Sequence, residues 1–127
     1  TLAQTKQDTI IGIWWSEDKK GRTEIYKSNN KYFGKVVWLK EPNDENGNPV
    51  RDGNNPKSNL QNRPILKLIV ITNLVYDTKS NEWINGEVYD PESGKTYTCT
   101  LWLENGKLNL RGYWGWFFET QEWERYK

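Results

Sequence analysis

A chain of 127 residues with Lys+Arg 18 against Asp+Glu 17 has a net charge of +1, and its basic residues are scattered, so nothing favours nucleic acid or an anionic surface. It has no histidine, no methionine and one cysteine, which excludes Ser–His and Cys–His nucleophile pairs, Cys/His zinc sites and an intrachain disulfide. No run of about 18 apolar residues occurs, so no membrane-spanning helix is expected, and the length suits one domain with its own core.

The opening "TLAQTKQD" is read as a lead-in over residues 1–9, the tail of a removed signal peptide, ahead of a single domain over 10–127. From there the dominant pattern is period two, cut at short intervals by turn chemistry. "TIIGIWWSE" reads as a strand ending at the turn "DKKG", and "RTEIYKS" and "KYFGKVVWLK" flank a second turn at "NNK". Residues 41–64, "EPNDENGNPVRDGNNPKSNLQNRP", form the one long irregular segment, with a short helical turn near "NPKSNLQN". Then come "ILKLIVITNLVYD", read as one bent strand or two, "EWINGEVYD", "KTYTCTLWLE", "LNLRGYWG" and "FFETQEWERY". These are joined by turns that include the hairpin signal "NGK". Eight to nine short strands joined by hairpins predict an all-β, antiparallel up-and-down barrel.

The alternation assigns faces. Tyr97, Cys99, Leu101 and Leu103 point to the core from one strand, and Leu108, Leu110, Gly112 and Trp114 from the next. In Tyr32–Lys40, Tyr32, Val36 and Trp38 oppose Phe33, Val37 and Leu39, so both faces of that strand should be covered. Trp14 and Trp15 are neighbours on a strand and must face opposite ways.

Motifs that could carry chemistry fail on spacing. Gly94-Lys95-Thr96 resembles the tail of a phosphate loop, but the earlier glycine is Tyr89 and a strand follows in place of a helix. Asp44, Asn46, Asn48 and Asp52 suggest calcium ligation, yet the central glycine is Pro49 and the terminal glutamate is Asn55. Glu24, Glu87 and Asp90 are the carboxylates that could run glycoside hydrolysis, though strand carboxylates are more often solvated. No catalytic residue, metal or cofactor is therefore nominated.

Eight tryptophans and seven tyrosines are the compositional anomaly, and aromatics can line a ligand cavity as well as pack a sheet. The residues proposed for ligand contact are Glu24, Tyr26, Trp38, Arg63, Tyr89 and Tyr97, around a cavity mouth beneath the long loop, with Arg63 or Arg111 as polar anchors. Asp52, Asn55, Pro56, Asp90, Pro91 and Gly94 are read as organising turns.

Gly12-Ile13-Trp14 on the first strand, with Trp123-Glu124-Arg125 on the last, resembles the lipocalin pattern. That resemblance implies that Trp14 packs across the closed end of a barrel under an arginine, Arg125 first and Arg111 second. "GIWWSEDKKGRTEIYK", "FGKVVWLKEP", "DGNNP", "GEVYDPESGKTYTCTL" and "LRGYWG…TQEWER" together are similar to a bacterial family of small exported proteins, domain of unknown function 2147. The resemblance covers Ile11 to Arg125 and implies a lipocalin-like or calycin-like barrel in the periplasm or at the cell surface, with no established activity. Relatives carry a cysteine pair where this chain has Ser28 and Phe33, and a glycine is common where Lys67 and Phe118 stand.

The function expected is non-enzymatic binding of a small hydrophobic or amphipathic molecule by a monomer or weak dimer. Two other readings stay open: an envelope protein partner held by exposed aromatics such as Trp15 or Trp102, and carbohydrate binding or hydrolysis.

Overall fold

A computed structural model describes residues 6–127, so residues 1–5 of the expected lead-in lie outside the described residues. Eight strands run in sequence order as one antiparallel meander. They are β1 (Gly12–Trp15), β2 (Gly21–Ser28), β3 (Lys31–Leu39), β4 (Ile69–Asp77), β5 (Glu82–Asp90), β6 (Lys95–Glu104), β7 (Lys107–Trp114) and β8 (Phe117–Trp123). The sheet curls until the chain after β8 meets β1. There the Trp15 N–H donates to the Glu124 carbonyl at 2.7 Å and the Tyr126 N–H to the Ile13 carbonyl at 2.8 Å. Among the described residues no helix is long and apolar enough to cross a membrane.

One end of the barrel is packed shut. Ile10, Trp14, Tyr32, Leu74, Trp83, Leu101 and Leu108 are buried there. The 3-10 turn Asp8–Ile10 plugs this end: the Tyr32 hydroxyl donates to Asp8 Oδ1 at 2.6 Å and Trp83 Nε1 donates to the Gln7 carbonyl at 3.1 Å. Trp14 is 0% exposed, donates from Nε1 to the Ile10 carbonyl at 2.9 Å, and lies 4.2 Å beneath the Arg125 guanidinium. Arg125 in turn donates to the carbonyls of Ile11 and Thr9 at 3.2 and 2.6 Å. Gly12, at φ 142°, makes this possible, because a Cβ there would stand 2.8 Å from Arg125 Nη1.

The alternation holds along β6, where Cys99 and Leu101 are buried and Thr96 and Thr98 exposed. It breaks where the strand registers shift, in β3, twice in β4 and in β5. Thr23 pairs with Val36 but Arg22 with Trp38, so Val37 is an extra residue. Everything beyond Val37 changes face, and Leu39 reaches the interior in place of Trp38. Asn73 in β4 and Asn85 in β5 sit at φ 61° and 62°, a left-handed conformation that asparagine tolerates better than most residues. They bend the two paired strands at one level, which makes "ILKLIVITNLVYD" a single bent strand from Ile69. Gly86 is needed beside this bend, since a Cβ there would fall 2.5 Å from Leu74 Cδ2. Lys67 adopts φ 73°, the conformation for which a glycine would be the unstrained choice.

Cys99 is buried, and burial, with a smaller contribution from Glu87, pushes its thiol up to about 12. Native protein at mildly alkaline pH should therefore leave Ellman's reagent unreduced, and denaturation should release one thiol. Immediate reaction of the native protein would contradict this placement.

Candidate functional site

The other end of the barrel is open. The turns β1–β2, β5–β6 and β7–β8 and the end of β3 surround a cavity of about 830 Å³. Its walls are apolar where inward positions of neighbouring strands converge: Val36 and Leu39 from β3, Val70 from β4, Val88 from β5, Tyr97 from β6, Leu110 from β7 and Trp123 from β8. Gly112 is also an inward position, and its missing side chain leaves space beside Tyr97. Trp123 Nε1 donates to Gln121 Oε1 at 3.0 Å, which satisfies the indole at the cavity wall.

The long segment between β3 and β4 is a strap laid against this opening. Val50 and Ile65 contribute to the cavity wall and are joined by the Ile65 N–H donating to the Val50 carbonyl at 3.0 Å. The strap is fixed by one carboxylate. Asp52 is 0% exposed and accepts from the Tyr89 hydroxyl at 2.6 Å, Asn55 Nδ2 at 2.9 Å and Arg63 Nε at 2.9 Å. Burial alone would raise the Asp52 carboxyl, but the three donors and the Arg63 charge outweigh it and hold it below the usual carboxylate range. Burial and the bond to Asp52 push the Tyr89 hydroxyl the opposite way. Asn54 Nδ2 ties the strap to the β5–β6 turn through the carbonyls of Pro91 and Glu92, and that turn is closed by the Gly94 N–H donating to the Asp90 carbonyl. A smaller pocket of about 270 Å³ lies beneath the strap, bordered by Pro56, Arg63, Tyr89 and Thr96.

Of the residues proposed for ligand contact, the structure brings Tyr89 and Tyr97 to the cavity and places Arg63 in the smaller pocket. The expected grouping needs correction for the others. Glu24 and Tyr26 stand on the outer wall because Thr23 and Ile25 are the inward residues of β2; Tyr26 stacks on Phe33 at 5.7 Å. Trp38 is outside because of the Val37 bulge. Arg111 is also outside, between the inward Leu110 and Gly112; it donates to Thr120 Oγ1 at 2.8 Å and covers Phe118 at 4.6 Å. Glu24 stands on β2 whereas Glu87 and Asp90 are both on β5, and Asp44 accepts the backbone N–H groups of Asn46 and Asn48 within a turn. Among the described residues no group of three or more His, Cys, Asp or Glu side chains is placed to hold a metal ion.

Trp15 and Trp102 are not free surface aromatics. The Arg22 guanidinium lies 4.3, 4.2 and 3.9 Å from the rings of Trp15, Trp38 and Tyr126, and its buried Nε has no hydrogen-bond partner among the described residues. This outer stack ties β1, β2 and β3 to the chain after β8. Trp102 carries Arg111 at 5.1 Å. The most exposed aromatics are instead Trp114, Trp116, Phe117 and Phe118 at the β7–β8 tip, where Trp116 is 86% exposed. The core face expected for β7 therefore ends before Trp114, which has the inward parity but projects at the rim. The run "YWGWFFE" around a glycine was the available signal for this tip.

The family model described as an uncharacterised protein conserved in bacteria (DUF2147) matches residues 12–125. Among solved structures, protein HP1028 from the human pathogen Helicobacter pylori, a member of the lipocalin family, superposes with a TM-score of 0.76 at 20% identity, covering 93% of this chain and 83% of that one. No curated protein matches the chain.

Proposed function

The chain belongs to the DUF2147 family, and for this member we propose that the open end of the barrel takes up a small ligand with an apolar body. The observation that supports the reading is the cavity of about 830 Å³, walled by aliphatic and aromatic side chains and partly covered by a strap. Binding energy would come from burying the ligand's apolar surface, about 25 cal/mol per Å² removed from water before the costs of association are subtracted. Action in the bacterial periplasm or at the cell surface is part of the same proposal and rests on the sequence resemblance.

The test uses N-phenyl-1-naphthylamine, whose fluorescence rises in apolar surroundings. Saturable enhancement, displaced by decan-1-ol, is expected. The variant Gly112→Leu, which fills the space beside Tyr97, should weaken both by about tenfold or more, the expectation for a bulky side chain occupying a ligand's place. Absence of saturable binding, or binding untouched by Gly112→Leu in a folded variant, would overturn the reading.

A further inference from the structure

Resting on that reading of the cavity, we propose that it selects ligands whose polar end is a cation, an alkylammonium or related group, over chains that end in a carboxylate. Neither arginine expected to anchor a carboxylate, Arg111 or Arg63, borders the cavity, although Arg51 does. Arg111 is turned to the outer wall, and Arg63 spends its Nε on the buried Asp52 in the separate pocket under the strap. Arg22 belongs to the wall by position, but its guanidinium is held on the outside among Trp15, Trp38 and Tyr126.

What borders the cavity is acidic. Asp18, Glu41, Asp90, Glu92 and Glu119 outnumber Lys20 and Arg51, even when Lys95 at the Trp114 rim is counted with them. Glu119 stands opposite Gly112, the inward position that leaves room in the cavity. The rim aromatics already accommodate a cation, since Lys95 Nζ lies 4.5 Å from the centre of the Trp114 ring. A ligand inserted chain-first would leave its head group at this level, where the excess of carboxylates favours positive charge and repels negative charge, while Lys95 already lies over the Trp114 ring.

The experiment compares decylammonium, decan-1-ol and decanoate as displacers of N-phenyl-1-naphthylamine from the whole protein at neutral pH and low salt. Decylammonium is expected to bind about three- to tenfold more tightly than decanoate, the size set by partly exposed charge pairs, with decan-1-ol between them. The gap should shrink in about 0.5 M sodium chloride, where screening lengths fall to a few ångströms. Glu119→Gln should also narrow it. Decanoate binding as tightly as decylammonium, or a gap indifferent to both salt and Glu119→Gln, overturns the cation preference while leaving the cavity reading standing. Failure of all three, decan-1-ol included, overturns the cavity reading itself.

Discussion

Alanine in place of Trp14 is expected to remove about 3–5 kcal/mol of folding stability, the range for deleting a large buried aromatic side chain. The indole is fully buried, and its loss opens a hole at the packed end, orphans the Ile10 carbonyl and removes the surface on which Arg125 lies. For a domain of this size the melting temperature should fall by about 10–20 °C. Arg125→Ala removes the lid and its two carbonyl bonds but no buried volume, so about 1–2 kcal/mol is expected. Trp14 does not line the open cavity, so Trp14→Ala, measured well below its own melting temperature, should still bind the naphthylamine probe. An unchanged melting temperature would refute the structural role given to Trp14.

The second large effect is expected at Asp52. Replacement by alanine takes one buried carboxylate from three donors at once, and about 2–4 kcal/mol should be lost. The figure stays below the extreme for buried pairs because the Arg63 side chain is 35% exposed and can regain water. The consequence should concentrate in the strap, where trypsin sites at Arg51, Lys57 and Lys67 would open to cleavage faster than those in the strands. The pH dependence has a fixed sign. Because the folded carboxyl is held below its ordinary 3.8, its contribution is complete above that value and is lost as pH falls through the lowered one. Acid should therefore loosen the wild-type strap, and Asp52→Asn should abolish that part of the acid response. An acid response identical in Asp52→Asn and wild type would contradict the assignment.

The meander was legible because its turns are written in Asn, Gly, Asp and Pro at short spacing, and because β6 and β7 alternate cleanly. Pairing between Trp14 and Arg125 was expected through the resemblance to the lipocalin pattern, and the structure shows the role of Gly12, which clears the space for the guanidinium. Strand parity misleads where a bulge changes the count. Val37 sent Trp38 outward, and nothing in "FGKVVWLK" distinguishes that residue from its neighbours. The left-handed Asn73 and Asn85 shift the inward set in β4 and β5 in the same way, but each reads in sequence as an ordinary polar strand residue. Arg63 and Arg111 were natural anchors by residue type alone. Their positions depend on the fold of the strap, with its 3-10 turn Ser58–Leu60, in one case and on strand face in the other. Trp15 faces away from Trp14, as strand geometry requires, and the outer cage it forms around Arg22 depends on contacts from three separate parts of the chain.

On the proposed function, the hollow end of the barrel accepts an apolar chain. Calorimetric titration with decan-1-ol at several temperatures decides this. One-to-one saturation with a negative heat-capacity change is the expected result, since that change marks burial of apolar surface, and both should be lost in folded Gly112→Leu. No saturable heat at any of those temperatures, or the same titration in Gly112→Leu, would contradict it.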